Sequence, residues 1–199
     1  MSVRHIFLLI TTVVCAAQEF SAPELKPGEI PTFGVTVFSS SGFKGDIYLL
    51  PQGTAGLPNF KKLKPIGSIY TTALNVPPRL FTAGFPGVTG QKEWFAIDYN
   101  ARFWITKPGR YQFGLLSDDG SKLYIDGKRV IDNDGNHPPT AVEKGIQLRE
   151  GVHEMRVSYY QGPGDSLALV LGVLRPGEVQ WKIFDTDEFA PPAGTATSK

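Results

Sequence analysis

Apolar and polar residues alternate with a period of two in several short segments of the chain. In residues 111–115 two aromatic residues and a leucine share one face, and residues 155–159 show the same spacing. Residues 167–173 alternate as well, but Val170 adds an apolar side chain on the opposite face. Because successive side chains of a strand point to opposite faces, these segments are predicted strands, and the last is buried on both sides. Gly and Pro residues bound the segments, which is typical of a sandwich or barrel.

A tight hairpin is predicted in residues 123–131. Asp126 and Gly127 stand between two segments rich in β-forming residues. An Asp-Gly pair readily adopts the positive φ angles that a two-residue hairpin turn requires. The two flanking segments are therefore expected to pair as antiparallel neighbours.

The window 91–107 fits two patterns. A helical spacing relates Trp94, Ile97, Ala101 and Trp104. A period of two relates Phe95, Ile97 and Tyr99, and again Phe103 and Ile105. The aromatic content favours strands over a helix. We therefore expect two strand segments with a kink near Asn100.

The two ends of the chain differ in composition from the middle. A charged start, an apolar run from Ile6 to Ala17 and small residues at its end describe a secretory signal peptide, with cleavage after Ala17 or Ala16. A buried first strand or helix is the alternative interpretation. We expect a signal peptide at 1–17, a leader with room for a first strand at 18–44, a β-sandwich at 45–175, and a C-terminal extension with a disordered tail at 176–199.

Charge and cysteine content exclude several classes of function. Cys15 is the only cysteine, and it falls within the expected signal peptide. Lipidation of Cys15 is not expected, because a lipoprotein site has a small residue before the cysteine and Val14 stands there. The mature chain is therefore expected to have no disulfide, catalytic thiol or cysteine-bound zinc. Without Arg4 the remaining basic and acidic residues balance at 19 each, from totals of 20 and 19. A neutral chain without a basic block is a poor partner for nucleic acid or anionic membranes. After the signal, no segment is apolar enough to cross a membrane.

Acidic residues cluster on both sides of the predicted hairpin. Asp118 and Asp119 precede it, Asp126 is in its turn, and the run DNDGNH occupies 132–137. Oxygen ligands on loops suit calcium, although the spacing does not match the calcium loop of helical sensors. Asp, Asn and Gly are also ordinary turn residues, so a solvated turn remains the alternative. Adjacent carboxylates reach one ion only where the backbone between them is unusual, for example at a cis peptide bond.

Motifs of known enzyme classes are not found in the sequence. There is no nucleophile elbow, paired-histidine zinc motif or phosphate-binding glycine loop. His153 begins an alternating segment, where a structural role is expected. A hydrolase with two carboxylates is left open, but no feature singles out a pair. We expect a chain that is not an enzyme.

Four segments resemble the PA14 domain family in the family's order. They are residues 107–113 (KPGRYQF), 117–127 (SDDGSKLYIDG), 130–133 (VIDN) and 148–160 (LREGVHEMRVSYY). The resemblance extends from about Gly45 to Arg175. It implies an all-β fold, an antiparallel β-sandwich, and a module that occurs in glycosidases, adhesins, toxins and surface proteins and is often taken to bind sugars.

The resemblance also implies a site. In calcium-dependent adhesins of the family, two aspartates joined by a cis peptide hold the ion, which coordinates sugar hydroxyls; this pair corresponds to Asp118 and Asp119. In those adhesins an asparagine from a later loop adds a ligand. This sequence departs from that pattern, because Gln161, with a longer side chain and the same carbonyl oxygen, stands at about that place in the loop 161–165. A metal-free site, as in other members of the family, is the alternative. Tyr160 is a candidate aromatic face for a sugar ring, with a plain strand residue as its alternative.

The expected function is an exported binding module, extracellular or periplasmic. Carbohydrate is the expected ligand, with Asp119, Tyr160 and Gln161 as ligand-binding residues and with calcium at Asp118 and Asp119. A structural or protein-interaction module of an envelope or surface assembly, with an exported protein as partner, is the alternative.

Overall fold

The structure is a computed structural model that describes residues 20–21 and 42–192. The expected signal peptide with Cys15, most of the expected leader and the tail from residue 193 lie outside these residues. Eleven strands are described: β1 Phe43–Leu49, β2 Gly67–Thr71, β3 Asn75–Leu80, β4 Phe95–Ile105, β5 Gly109–Asp118, β6 Ser121–Ile125, β7 Lys128–Asn133, β8 Thr140–Leu148, β9 Gly151–Gln161, β10 Ser166–Leu174 and β11 Lys182–Ile183. Short 3₁₀ helices span Phe60–Lys62, Phe81–Ala83 and Thr186–Phe189.

The strands form two sheets, and the predicted antiparallel β-sandwich is confirmed. The larger sheet has the order β2-β1-β4-β9-β6-β7. The smaller has the order β11-β10-β5-β8, and β3 also pairs with β10. All of these pairings are antiparallel. Within residues 20–21 and 42–192, no helix has the length and apolar character that crossing a bilayer requires.

The strands test two predictions made from the pattern of apolar residues, the hairpin in residues 123–131 and the kink near Asn100. The hairpin β6-β7 is confirmed, with φ of 51° at Asp126 and 74° at Gly127. The predicted kink at Asn100 is wrong, because β4 continues through it and pairs with β9 from Phe95 to Ile105. The two apolar runs of this window are in phase, with Ala101 as a small member of the same face. One strand therefore accommodates both runs.

The core between the sheets is aromatic. Phe184 lies at its centre and contacts Phe43, Phe103, Phe113 and Phe189, with ring centroids 4.7–6.1 Å apart. Aromatic pairs in edge and offset geometries add to the stability that burial provides. Residues beyond Arg175, which include β11 and the last 3₁₀ helix, therefore contribute to the same core as the earlier strands.

The outer face of the smaller sheet carries a second apolar cluster around Phe20. The Phe20 ring lies on Gly114 and Gly172, which face each other across the β5-β10 ladder. A Cβ atom at Gly172 would lie 2.2 Å from the ring and one at Gly114 2.5 Å from it, so only glycine leaves room. Val170 is fully buried within this cluster, which confirms that β10 is covered on both faces.

Candidate functional site

Three loops that each connect one sheet to the other meet at one end of the sandwich. They are residues 119–120 between β5 and β6, 134–139 between β7 and β8, and 162–165 between β9 and β10. Asp118 ends β5 opposite Ala168 of β10, and Asp119 follows in the first loop. The sheet pairing therefore brings together loops that are far apart in sequence.

Asp118 and Asp119 are both buried at this junction, with 4% and 3% of their surfaces exposed. The peptide bond between them is cis. Gly120 follows, and a Cβ atom there would lie 2.8 Å from the backbone nitrogen of Gly135. The absence of a side chain at position 120 thus allows the second loop to pack against the pair.

The Asp119 carboxylate accepts hydrogen bonds from the other two loops. The backbone N–H of His137 donates to Oδ1 at 3.2 Å, and that of Gly162 donates to Oδ2 at 2.8 Å. The Gln161 side-chain amide donates to Oδ2 at 3.4 Å. Asp119 therefore joins all three loops.

Asp118 is held by fewer side-chain contacts. Its Oδ2 accepts a hydrogen bond from the hydroxyl of Ser166, the first residue of β10. Its backbone carbonyl accepts one from the Tyr159 hydroxyl at 2.7 Å. The carboxylate has no backbone N–H donor among the described residues, so it is the less satisfied of the two.

The surroundings of the pair disfavour two negative charges. Burial raises the pKa of Asp118, although the hydrogen bond from Ser166 opposes the rise. Burial also raises the pKa of Asp119; the Gly162 amide opposes this, and the charge of Asp118 adds to it. Among the described residues neither carboxylate forms an ion pair with lysine or arginine. Two close, buried acids without such a partner are an environment that attracts a cation.

Gln161 and Tyr160 adjoin the pair at the end of β9, and both are fully buried. The Gln161 amide nitrogen faces Asp119, and its oxygen Oε1 contacts the Tyr159 hydroxyl. The Tyr160 hydroxyl contacts the Thr54 carbonyl and lies 2.9 Å from Oδ1 of Asn136. The structure therefore places the Tyr160 ring inside the protein, without an exposed face for a sugar.

The other acidic residues of the sequence cluster have partners elsewhere. Asp132 pairs with Arg129 at 2.6 Å, and Asp134 pairs with Lys122 at 2.7 Å. Asp126 lies at the far end of β6, where it binds His153 at 2.6 Å. His153 therefore has the structural role that its position predicts. In the part of the chain that the structure describes, no group of three or more His, Cys, Asp or Glu residues is arranged to hold a metal.

Sequence reasoning missed the polar residues that support the pair. The hydroxyl groups of Ser117 and Ser121, on either side of it, lie 2.7 Å apart and are buried. The Asn133 amide donates to Ser117 at 3.0 Å and to the Thr140 carbonyl at 3.0 Å. The only signal in the sequence was two serines flanking Asp-Asp-Gly within otherwise apolar strands. Ser166 gave no comparable signal.

Calcium fits part of this arrangement. Two carboxylates at one loop junction provide the hard oxygen ligands that calcium prefers. Each carboxylate oxygen has two acceptor positions, so a hydrogen bond from an amide leaves one position available. Gln161 does not fit in its present orientation, because its amide oxygen is directed to Tyr159. The two carboxylates therefore suit the ion, whereas the Gln161 amide group has to turn before its oxygen can face the ion.

Comparison with known proteins supports one family. A family model described as the PA14 domain matches residues 79–187, more than half of the chain. No curated protein matches the sequence. Matching solved structures include a PA14 sugar-binding domain from an RTX adhesin, with 17% identity and a TM-score of 0.59 over 74% of this chain and 96% of that one.

Two further solved structures resemble the fold. The epithelial adhesin 9 A domain of Candida glabrata, in complex with Galβ1-3GlcNAc, has 16% identity and a TM-score of 0.55 over 86% of this chain and 95% of that one. An anti-sigma factor domain-containing protein has 19% identity and a TM-score of 0.60 over 80% of this chain. The chain spans about half of that protein, 51%.

Proposed function

Because the chain belongs to the PA14 domain family, we propose that it is an exported, non-catalytic carbohydrate-binding module. The observation that carries the proposal is the buried Asp118-Asp119 pair at the meeting point of three loops. Relatives described as a sugar-binding domain and as an adhesin in complex with a disaccharide support carbohydrate as the ligand. The basic start without an acidic residue and the apolar run from Ile6 to Ala17 support export.

Calcium is the proposed ion, with Asp118 and Asp119 as its carboxylate ligands. A divalent cation would balance both charges, which offsets the burial and mutual repulsion that raise the two pKa values. The ion would supply coordination positions for sugar hydroxyl oxygens. Pro163 and Asp165 are exposed beside the pair, and we place ligand access along their loop.

Gln161 joins the site when its amide group is turned by half a rotation. The Tyr159 hydroxyl has one proton, and both of its neighbours, the Asp118 carbonyl and Gln161 Oε1, are acceptors. After this turn the amide nitrogen donates a hydrogen bond to the Tyr159 oxygen. The Tyr159 hydroxyl then donates its own hydrogen bond to the Asp118 carbonyl. The amide oxygen then faces Asp119, where it suits an ion.

Tyr160 has a positioning role in this proposal. Its buried hydroxyl connects the Thr54 carbonyl with Asn136, so it ties the segment before the first 3₁₀ helix to the loop 134–139. Gly162 packs on that hydroxyl, because a Cβ atom there would lie 2.3 Å from it. Tyr160 thereby shapes one wall of the site without contacting the sugar itself.

The test is calcium and glycan binding by the mature chain, residues 18–199, and by its Asp118→Asn variant. Ser166 can accept as well as donate a hydrogen bond, so asparagine at 118 keeps that contact and removes only the charge. We expect calorimetry to show calcium affinity lower by at least about tenfold, since even indirect partners of metal ligands have that effect. At least one glycan on an array should be bound in calcium and lost both in EDTA and in the variant.

Asp119→Asn is the second variant, and Asp187→Asn, which changes an exposed aspartate, is the matched control. Circular dichroism confirms that each variant folds. If glycans are bound but none of them is lost in EDTA, carbohydrate remains the ligand and calcium is removed from the proposal. An array without any binding, together with capture of an exported protein, would favour the protein-interaction alternative.

A further inference from the structure

A cavity of about 450 Å³ lies at the opposite end of the sandwich from the acid pair. It is lined by residues from the end of β4, the start of β5, the turn after β10 and the last 3₁₀ helix. Tyr111 in its lining and Asp118 are seven residues apart on β5, roughly 23 Å along the strand. The cavity is therefore separate from the candidate site described above.

Aromatic side chains form much of its lining. Trp104 is half-buried, and Tyr111 and Phe189 are buried. The Arg175 guanidinium lies 4.5 Å from the centre of the Phe189 ring and forms an ion pair with Glu188. These contacts fix the orientation of Arg175 before any ligand arrives.

The turn after β10 carries two buried polar atoms without a protein partner. The Glu178 N–H donates to the Arg175 carbonyl at 3.0 Å, and Gly177 has a φ of 88°, which only glycine adopts readily. Nε of Arg175 and Oε2 of Glu178 form no hydrogen bond within the described part of the chain. Buried polar groups of native proteins normally have partners, so Arg175 and Glu178 in the cavity lining have hydrogen-bonding capacity that the described residues do not use.

The chemistry of the lining limits what that partner is. Lys107 and Arg175 carry positive charge, and Glu178 and Glu188 carry negative charge, so an anion or a cation meets repulsion as well as attraction. A hydroxyl group both donates and accepts, and it can satisfy a guanidinium N–H and a carboxylate oxygen together. We propose that this cavity is a second ligand site that takes a neutral, hydroxylated ligand, an oligosaccharide, with Trp104 packing on a sugar ring.

This site does not depend on the acid pair, and the test separates the two. The mature ¹⁵N-labelled chain has three tryptophans, whose indole N–H signals are assigned with Trp→Phe variants. Neutral tetrasaccharides of the cello, chito, malto and laminari series are titrated in turn. We expect at least one to shift the Trp104 signal in a saturable way, in EDTA and in Asp119→Asn alike.

Two variants test the contribution of the Arg175 and Glu178 side chains to binding in this cavity. Glu178→Gln and Arg175→Lys should each weaken that titration by about tenfold, because a hydrogen bond to a charged group is removed. Thermal melting confirms their folding, and Glu150→Gln, which changes an exposed acid outside the cavity, should leave the titration unchanged. The proposal is overturned if no neutral oligosaccharide moves the Trp104 signal, if only charged ones do, or if the shift disappears in Asp119→Asn.

Discussion

At the scale of single residues, Asp126 combines two structural roles at one position. Its positive φ permits the β6-β7 turn, and its carboxylate binds both Nδ1 of His153 at 2.6 Å and the Glu154 N–H at 3.0 Å. Nε2 of His153 lies 2.9 Å from the Arg149 carbonyl. Both ring nitrogens of His153 therefore lie beside oxygen atoms, which fixes the orientation of the ring. This acid therefore stabilises the fold, although the sequence grouped it with the candidate ligands.

Asp126→Asn tests this role through the pH dependence of stability. Burial alone raises the pKa of Asp126, but hydrogen bonds from His153 and Glu154 outweigh it, and the pKa lies below its ordinary value of 3.8. The native state then binds fewer protons than the unfolded state, so the contribution is present above pH 3.8 and is lost as the pH falls through the lowered pKa. Asparagine tolerates the positive φ and removes only the charge.

We expect urea unfolding at neutral pH to show a loss of about 0.5 kcal/mol in this variant, because asparagine keeps an acceptor oxygen and the ion pair that is lost is half-exposed. The difference from the unmodified chain should shrink as the pH falls below 3.8. A difference that is constant across this range would contradict the ionic role of Asp126. Glu150→Gln, at an exposed position, provides the control.

At the scale of elements, β10 is covered on both faces by different parts of the chain. One face contributes Leu167, Leu169, Leu171 and Val173 to the main core. The other carries Ala168 and Val170 beneath Phe20. The Phe20 ring lies 5.0 Å from that of Trp181, and its backbone N–H donates to Glu143 of β8 at 2.6 Å. A short segment near the N-terminus thus completes the outer face of the smaller sheet.

Phe20→Ala should lower the free energy of unfolding by about 2 kcal/mol, the value of burying a large apolar side chain. Removal of the ring should also expose Trp181 and shift its fluorescence emission to longer wavelength. Gly172→Ala should destabilise the chain through the clash with Phe20, and it should cost much less when Phe20 is already alanine. Ser21→Ala is the neighbouring control. Additive effects of the two substitutions would contradict the proposed packing.

At the scale of the whole molecule, the two ends of the sandwich have different chemistry. One end gathers three loops around buried carboxylates, and the other has a cavity with aromatic residues and balanced charges. Sheets in this architecture end in loops at both ends, so a single domain can offer two separate sites. Binding at one end need not disturb the other.

Export can be tested on the whole chain. We expect mass spectrometry of the secreted or periplasmic fraction to find a mature protein that begins at Gln18, or at Ala17 if cleavage follows Ala16. Cleavage after Ala17 makes Phe20 the third residue of the mature chain. Recovery of a protein that still begins at Met1, or one with lipid at Cys15, would contradict the predicted processing.

Local patterns in the sequence determined the class of fold. Alternation with a period of two identified β5, β9 and β10, and the Asp-Gly pair identified the β6-β7 turn, because both depend only on neighbouring residues. The doubly apolar pattern of β10 also predicted its burial on both faces. The two apolar runs of β4 have the same phase, which is the pattern of one continuous strand. Ala101 lies between them on the same face, and its small side chain made the pattern look interrupted.

Locating the candidate site required both the sequence and the tertiary structure. The resemblance to a known family singled out Asp118, Asp119 and the loop 161–165, but the sequence did not show that the backbone N–H groups of Gly162 and His137 bind Asp119 or that Ser166 binds Asp118. Gly162 is 43 residues from Asp119 and His137 is 18. Contacts over such distances depend on which strands pair and on where each loop crosses between sheets, so only the tertiary structure decided them. For the same reason only the structure placed Tyr160 in the interior and created the cavity at the other end.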